Sequence, residues 1–476
     1  MLPDNVKKVH FIGIGGYGMS ALAMILLRKG YGVSGSDMKS SRLSERLVGQ
    51  GADVKIGHDA TNIGDCDMVV YSTAIPDDNP EMVECRRLSL PLWHRSELLA
   101  DLVNNYYGIA VAGTHGKTTT TAMISLLLDK AGLDPTAVIG GELSVYDGNA
   151  RLGKSDYLVA EACESDNSFL RYFPRIAVIT NIEADHLENY EGDFNKLRMA
   201  YEEFLFHVSP AGCAVLCADD HLVMDSSMLV PGRVVTYGIS DGEKGDCGAG
   251  EMLMNNEAPH YAAKDISYAA DGTSVFSVYL NDSFIAEVHL GAPGRHNVLN
   301  AVGAIATAAQ LDDNIAESVS VLKDFSGVGR RFEVIGDVNN ILVVDDYAHH
   351  PTEIKATLQA ARAMGRERVY CLFQPHRYSR TGFFMEDYAT AFGDADKVFL
   401  NSVYAAGESP VEGVSSEVMA GLIRERDGKD VVYGDDLSAL AAEAGKILQS
   451  GDIIITMGAG DVWKASRIIV DLLRES

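Results

Sequence analysis

Short apolar runs of β-strand length alternate with amphipathic helical segments along most of this chain of 476 residues. In the first series we expect strands at 9–14, 31–36, 53–56, 68–72 and 90–93. Helices are expected to begin near Gly18, Ser41, Asn79 and Ser96. Strands separated by helices pair in parallel, because each helical connection carries the chain back across the sheet. This series therefore predicts an α/β domain.

Two further series follow the first. The second has strands at 107–113, near Ala137, at 157–162 and at 176–180, and helices at 117–131 and 296–310. Between them, from about Glu251 to Leu290, hairpin-like alternation appears with turns at Asp271-Gly272 and Asn281-Asp282. The third series begins after 325–329, and its last strand lies at 453–456.

Chain length supports about three domains. We place them at 1–106, 107–325 and 326–476. The predicted fold class is α/β, with an N-terminal Rossmann-like parallel sheet and a C-terminal Rossmann-like domain. Between these we expect a central P-loop ATPase-like domain with an added small β-sheet.

Charge and cysteine content narrow the function classes. Lys and Arg total 40 against 67 Asp and Glu, so the formal net charge is -27. Nucleic acid and anionic membranes would repel such a chain, so we expect no nucleic-acid partner and no membrane insertion. The seven cysteines are scattered without a CxxC pair, which is typical of reduced thiols in a cytoplasm. The apolar run 9–27 resembles a signal peptide, but its four glycines disfavour that interpretation.

The segment Gly113-Thr114-His115-Gly116-Lys117-Thr118-Thr119 lies between a predicted strand and a predicted helix, where phosphates bind. Lys117 would neutralise phosphates and the Thr118 hydroxyl would bind Mg²⁺. Val111 stands where the common P-loop has its first glycine, so the loop is shorter than usual. A chance match, an ordinary NTPase and a loop built for different chemistry all remain open from this segment alone.

Glu161 and His186 follow two neighbouring predicted strands. The carboxyl ends of such strands bind ligands in open α/β sheets. Taken singly, both residues could be solvated loop residues. Beside a phosphate loop, a two-metal site is the better interpretation.

A second glycine motif, Gly13-x-Gly15-x-x-Gly18, follows the first predicted strand, and Asp37 ends the next one. Glycines at this spacing let the backbone approach a diphosphate at a helix N-terminus. The motif alone would favour NAD, and a tight turn without a ligand is the plain alternative. In the third series an Arg377 and Arg380 pair offers forks for a carboxylate or phosphate, with ordinary surface arginines as the alternative. The adjacent His349 and His350 lack nearby cysteines, so we discount zinc.

Taken together, these motifs resemble those of the Mur ligases, in order and through all three series. The shared segments are 12–20, 113–118, 181–188, 294–300, 329–332 and 345–351. In that family the short loop is the normal ATP loop, so Val111 is no defect. The resemblance implies ATP- and Mg²⁺-dependent joining of L-alanine to the lactyl carboxylate of UDP-N-acetylmuramate in peptidoglycan synthesis. It further implies a cytoplasmic enzyme, which we expect to be a monomer or weak homodimer.

The resemblance assigns roles by position. For the catalytic residues it implies Lys117, His186 and Arg331. ATP would contact Gly113, Thr114, His115, Gly116, Lys117, Thr118, Thr119, Asn297, Asn300, Arg331 and Asp346, and the metal would be held by Thr118, Glu161 and His186. The UDP-sugar would contact Gly13, Gly15, Gly16, Gly18, Asp37, Ser72 and Thr73. L-Alanine would lie at Tyr347, His349, His376, Arg377 and Arg380.

One position departs from the family pattern, and three other functions stay open. Family members often carry an acid just before the segment 403–408, where this chain has Asn401-Ser402. The nearest alternative function is a murein tripeptide ligase that uses the same sugar nucleotide. An NAD-dependent oxidoreductase and a nucleotide-driven regulatory switch are more distant, because the first leaves the phosphate loop without a purpose.

Overall fold

A computed structural model describes residues 2–3, 5–165, 167–240 and 258–475. The chain divides into two compact units, each treated by itself below. The first comprises Met1–Lys264, Val278–Ala286 and Leu299–Val321, and the second comprises Asp265–Ser277, Glu287–Val298 and Leu322–Ser476. Cys247 and the start of the predicted hairpin region, 251–257, lie outside the described residues.

The N-terminal series forms a five-stranded parallel sheet in the order β3-β2-β1-β4-β5. Its strands are β1 (Lys8–Ile12), β2 (Gly32–Asp37), β3 (Asp53–Ile56), β4 (Met68–Tyr71) and β5 (Leu92–His94). Its helices are α1 (Tyr17–Arg28), α2 (Arg42–Gly49), α3 (Pro80–Leu88) and α4 (Arg95–Asn105). Ser41 begins α2 with a capping box, and Asn79 caps α3 ahead of Pro80. The parallel α/β prediction is confirmed for this domain.

The central series forms a ten-stranded sheet in the order β15-β14-β13-β12-β11-β10-β6-β9-β7-β8. Seven of its strands are β6 (Tyr107–Ala112), β7 (Thr136–Leu143), β8 (Gly148–Arg151), β9 (Tyr157–Glu161), β10 (Ile176–Ile179), β11 (Cys213–Cys217) and β12 (Arg233–Ile239). The predicted hairpins are β13 (Tyr261–Tyr268), β14 (Ser274–Leu280) and β15 (Ser283–Leu290), and they extend this sheet at one edge. Its helices are α5 (Lys117–Lys130), α6 (Phe194–Phe206), α7 (His221–Asp225), α8 (Arg295–Ala308) and α9 (Ile315–Ser318).

The C-terminal series forms a six-stranded sheet in the order β16-β17-β21-β18-β19-β20. Its strands are β16 (Glu333–Val338), β17 (Ile341–Asp346), β18 (Val369–Phe373), β19 (Lys397–Asn401), β20 (Asp430–Gly434) and β21 (Ile453–Met457). Its helices are α10 (Pro351–Ala363), α11 (Tyr378–Phe383), α12 (Met385–Tyr388), α13 (Ser416–Arg426), α14 (Leu437–Ile447) and α15 (Trp463–Glu475). Apolar clusters cover both faces, as parallel strands require. The antiparallel edge strand β16, which turns into β17 through Asn339-Asn340 with positive φ angles, was not predicted.

The centre of the ten-stranded sheet determines where ligands can bind. Strand β6 pairs in parallel with β9 on one side and with β10 on the other. The loops that follow these three strands therefore emerge at the same edge. Among the described residues, no helix is long and apolar enough to cross a bilayer.

Candidate active site

The segment between β6 and α5 is a tight loop in which two positions require glycine. Gly113 has a φ of +131°, and a Cβ atom there would lie 2.0 Å from the Thr180 hydroxyl oxygen. Gly116 has a φ of +82°, and its Cβ would lie 2.5 Å from Asn300 Oδ1. Both glycines are needed for close approach as well as for backbone conformation. Asn300, predicted to lie near ATP, thus lies against the phosphate loop itself.

The phosphate loop is bonded to the segment that follows β10. The Asn181 side chain accepts a hydrogen bond from the His115 amide at 2.8 Å and donates to the His115 carbonyl at 3.1 Å. The Thr114 hydroxyl accepts from the Glu183 amide at 2.8 Å. These bonds fix the backbone of the loop, although Val111 replaces the usual first glycine. Asn181 belongs to the sequence motif 181–188, but its role as an anchor depends on the pairing of β6 with β10.

Lys117 is held by a carboxylate that the sequence did not single out. Its ammonium donates to the Gly113 carbonyl, donates to the Thr114 carbonyl at 2.9 Å, and lies 2.9 Å from each carboxylate oxygen of Glu164. Glu164 is buried, with 1% of its surface exposed. Burial lowers the pKa of Lys117, but the charge of Glu164 and the hydrogen bond to it, together with the neighbouring acidic groups, outweigh burial, so the pKa is raised. The lysine is therefore charged and aimed into the loop.

Three donors at this edge suit a hard cation. Thr118 is in the first turn of α5, and Glu161 ends β9, opposite Val111 of β6. The Glu161 carboxylate accepts from the Gly140 amide at 2.6 Å. His186 has a φ of +55°, with ring nitrogens 3.6 Å from Asp185 and 3.7 Å from Glu188 carboxylate oxygens. Hydroxyl and carboxylate oxygens are the ligands Mg²⁺ prefers, so Thr118 and Glu161 fit that ion, and His186 would add a nitrogen ligand.

The glycine motif of the first sheet is bonded to the end of β2. The Gly13 and Ile14 amides donate to the Ser36 carbonyl at 2.8 and 2.9 Å. The Gly15 amide donates to Asp37 Oδ2 at 2.9 Å, so Asp37 shapes the loop that precedes α1. Ser72 and Thr73 follow β4, which pairs with β1, and Ile75 from this turn lies against Gly13. The predicted diphosphate residues are therefore brought to one sheet edge.

In the second unit, aromatic rings form a row beside the arginines. Ring centroids are 5.3 Å apart for Tyr347 and His349 and 6.3 Å apart for His349 and His376. Tyr404, which the sequence did not single out, stacks on His376 at 5.6 Å. The Arg331 guanidinium lies 5.0 Å from the Tyr347 ring centroid, a cation–π distance.

Burial and nearby positive charge keep the imidazole of His376 neutral. Burial is the largest cause, and the positive charges of Arg380 and Arg377 add to it, so the pKa falls to about 4. Arg380 is buried in α11, and Arg377, with a φ of +67°, directly precedes that helix. Arg377 and Arg380 bring positive charge that suits an anionic ligand, and the Glu408 carboxylate opposes part of it.

Two residues predicted to contact the nucleotide have structural partners within the second unit. Asp346 accepts from the amides of Phe332 and Ala348, each at 2.7 Å, and burial raises its pKa to about 6. The Asn297 side chain donates to the Pro293 carbonyl at 2.7 Å. These contacts order the local backbone, and contact with a nucleotide stays a prediction for both residues.

Asn401 occupies the position where an acid was expected. It is buried, accepts from Gln374 Nε2 at 3.0 Å and donates to the Gly434 carbonyl at 2.8 Å. A carboxylate could not donate to that carbonyl, so the amide is matched to its surroundings. Sequence alone gave no sign of this because Gly434 is distant along the chain.

Comparison with known proteins covers nearly the whole chain. Residues 8–107 match the Mur ligase family catalytic domain, 111–308 the Mur ligase middle domain, and 330–460 the Mur ligase glutamate ligase domain. The UDP-N-acetylmuramate–L-alanine ligases of Geotalea uraniireducens and Geobacter sulfurreducens are 45% and 44% identical, over 99% of this chain and 99% of each relative. Among solved structures, the UDP-N-acetylmuramate-alanine ligase of Thermotoga maritima is 30% identical, with a TM-score of 0.78 over 98% of this chain and 99% of that one. A murein peptide ligase from Psychrobacter arcticus is 26% identical, with a TM-score of 0.69 over 98% of each chain.

Proposed function

The chain belongs to the Mur ligase family, and from this we propose that it joins L-alanine to the lactyl carboxylate of UDP-N-acetylmuramate at the expense of ATP. The products are UDP-N-acetylmuramoyl-L-alanine, ADP and phosphate. The observation that carries the proposal is the similarity, along 99% of the chain, to two relatives named for this reaction. The enzyme is thus an ATP-dependent carboxylate–amine ligase of peptidoglycan synthesis.

We assign a different binding role to each of the three domains. Residues 1–106 bind the UDP-sugar, 107–325 bind ATP, and 326–476 contribute to nucleotide and amino-acid binding. In the first domain the diphosphate lies at Gly13, Gly15, Gly16 and Gly18, close to Ser72 and Thr73. The amides that precede α1 provide partial positive charge there, and Asp37 keeps the loop in place.

In the first chemical step a lactyl carboxylate oxygen bonds to the γ-phosphorus of ATP, and the bond to the β–γ bridging oxygen breaks. The products of this step are an acyl phosphate and ADP. Lys117 carries the positive charge that the transferring phosphoryl group requires, and Arg331 adds to it. Thr118, Glu161 and His186 would hold Mg²⁺, which neutralises phosphate charge when bound. The loop residues Gly113 to Thr119, with Asn297, Asn300 and Asp346, orient the nucleotide.

In the second step the L-alanine amine attacks the acyl carbon, and phosphate leaves from a tetrahedral intermediate. Arg377 and Arg380 bind the alanine carboxylate, beside Tyr347, His349 and His376. The neutral state of His376 supports this assignment, because a ring without charge leaves the arginines as the cationic groups. The amine loses a proton in this step, and the sequence and geometry single out no base for it.

We place the reaction in the cytoplasm. The six cysteines among the described residues are free thiols, as a reducing compartment maintains them. We expect a monomer or weak homodimer, without nucleic acid as a partner.

The decisive experiment measures ADP release with ATP, Mg²⁺ and UDP-N-acetylmuramate, with and without L-alanine. We expect turnover that depends on L-alanine and yields the amide product by mass spectrometry. Turnover with a tripeptide but not with alanine would instead identify a murein tripeptide ligase. NADH binding without ADP release under any substrate pair would identify an oxidoreductase.

A further inference from the structure

A buried carboxylate lies behind the glycine motif of the first sheet. Glu81, in the first turn of α3, has no exposed surface. It is surrounded by His10 of β1, Ser36 of β2, and His58 and Asn62 of the segment after β3. We refer to these five residues as the Glu81 cluster. The proposed chemistry does not use any of them directly.

Both carboxylate oxygens of Glu81 are saturated with contacts. At Oε2, Ser36 donates its hydroxyl proton at 2.7 Å, and His10 Nε2 lies 3.0 Å away. At Oε1, Asn62 donates at 2.8 Å and the Asp59 amide at 3.2 Å. Burial raises the pKa of Glu81, but the hydrogen bonds from His10, Asn62 and Ser36 outweigh it, and the pKa falls to about 2. Glu81 is therefore an ionised hydrogen-bond acceptor that joins two strands and a helix.

Ser36 connects the Glu81 cluster directly to the glycine motif. Its hydroxyl is bonded to Glu81, and its carbonyl accepts the amides of Gly13 and Ile14 at 2.8 and 2.9 Å. The next residue, Asp37, accepts the Gly15 amide at 2.9 Å. The amides of three successive loop residues are thus oriented by two residues at the end of β2. A displacement of Ser36 would move that part of the loop.

The second proposed diphosphate segment is connected to Glu81 through the backbone amide of that residue. The turn that contains Ser72 and Thr73 leads through Ile75 to Asn79, which caps α3 by accepting the Glu81 amide at 2.9 Å. Ile75 also lies against Gly13, where an added Cβ would be 3.2 Å from Ile75 Cδ1. Glu81 therefore lies between the two segments that would hold the sugar nucleotide.

We propose that Glu81 is a positioning residue for the sugar-nucleotide site, whose carboxylate holds the glycine motif in register for a diphosphate through Ser36 without contacting the ligand. This inference rests on the proposed function. A buried carboxylate is costly to remove from water, and apolar replacements of buried charged groups are often as stable. Fixed hydrogen-bond geometry beside a ligand loop is the use that fits the contacts of Glu81.

The test compares Glu81→Gln with the wild-type protein and with Glu84→Gln, a control one turn further along α3 that pairs with Arg87. For Glu81→Gln we expect KM for UDP-N-acetylmuramate to rise about tenfold, because a donor replaces an acceptor in the network. KM for ATP and kcat at saturating sugar nucleotide stay near the wild-type values. Calorimetric titration with UDP alone shows the same loss of affinity, and Glu84→Gln behaves as wild type in all assays.

The outcomes separate this inference from the proposed function. Equal UDP affinity for wild type and Glu81→Gln overturns the positioning role alone, and so does a parallel loss of ATP affinity, which would indicate general destabilisation. Wild-type protein that does not bind UDP overturns both the role and the proposed sugar-nucleotide site. If Glu81→Gln does not fold, Ser36→Ala takes its place, since it removes one hydrogen bond and leaves the buried charge, and the same results decide.

Discussion

At the scale of single residues, Gly113 in the shortened phosphate loop packs so closely against its neighbours that a side chain would not fit there. Gly113 directly follows β6, and a Cβ atom there would lie 3.0 and 3.1 Å from the backbone nitrogens of Thr180 and Asn181, which follow the neighbouring strand β10. The His115 carbonyl accepts hydrogen bonds from the Thr180 and Asn181 side chains, and the His115 amide donates to Asn181, so these bonds fix the shape of the loop. Because these bonds fix the loop backbone, we expect little conformational entropy to be lost when a nucleotide binds.

We expect Gly113→Ala to lower the free energy of unfolding by about 3 kcal/mol, because it adds both backbone strain and an overlap with Thr180. ATP affinity falls with it. The control is Gly421→Ala in α13, where the added methyl group meets nothing within 4 Å and we expect a gain of about 0.5 kcal/mol or more. Urea unfolding measures the stability of both variants, and nucleotide titration measures their affinity for ATP. Equal stability of the two variants would contradict the packing argument.

The Lys117–Glu164 pair makes a second residue-scale prediction. Lys117→Met leaves the buried Glu164 carboxylate without its cation, and we expect a loss of about 3 kcal/mol in stability. Adding Glu164→Gln to Lys117→Met restores more than half of that loss, because the uncompensated charge is gone. Ligase activity falls about a hundredfold or more in both variants, since neither has the ammonium.

A double-mutant cycle with chemical denaturation measures the coupling between the two residues. If Glu164→Gln does not improve the stability of Lys117→Met, the carboxylate is not the cause of the loss. Activity that returns with stability would show that Lys117 has no role in catalysis.

At the scale of elements, the strands and helices follow the periodicity of the sequence closely. The observed bounds of the predicted strands and helices in the first sheet lie within two residues of expectation, and β1 ends early because Gly13 turns the chain with a φ of +80°. The order of the strands was not predictable in the same way. A parallel connection allows the next strand to lie on either side, so β21 at the centre of the third sheet, between β17 and β18, is known only from the structure.

We expect His376, in the segment that joins β18 to α11, to make the stability of the protein depend on pH. The pKa of His376 is about 4 in the folded protein against 6.5 normally. Between these values the unfolded chain takes up a proton that the folded chain does not, so this contribution to stability is lost as pH falls from about 6.5 to about 4. We expect His376→Gln to lose less stability than wild type between pH 7 and pH 5.

Urea unfolding at the two pH values measures the effect, with His289→Gln on the exposed face of β15 as a control. The control should follow wild type. A His376→Gln curve that also follows wild type would mean that the imidazole is protonated in the folded protein at pH 5.

At the scale of the whole molecule, the first two sheets are connected within the first unit by α1 and α2 against β7 and β8. The buried Asn149 side chain donates to the Tyr17 carbonyl at the start of α1, next to the glycine motif. On the surface, Arg42 of α2 pairs with Glu142 and Asp147, and its side chain is 60% exposed. The contact is thus buried at α1 and solvated at α2.

We expect Asn149→Ala to lower the free energy of unfolding of this unit by about 1 kcal/mol, because it removes the hydrogen bond from the buried Asn149 side chain to the Tyr17 carbonyl, which still accepts from the Ser20 hydroxyl. Arg42→Ala costs less than about 0.5 kcal/mol, since solvent screens exposed ion pairs. Chemical denaturation at low and high salt compares them. A larger loss for Arg42→Ala would mean that the charged surface, and not the buried amide, holds the two sheets together.

The sequence by itself determined most of the elements, the three α/β series, both glycine loops and the expected chemistry of Lys117, because periodicity and turn residues act over a few neighbouring positions. Tertiary structure alone revealed the Glu164 partner of Lys117, the anchoring of the phosphate loop by Asn181, Tyr404 on His376, and the Glu81 cluster. Glu164 lies 47 positions from Lys117 and Glu81 lies 71 from His10. Such pairs meet only when strand order brings distant loops to one sheet edge, and local sequence carries no record of that order.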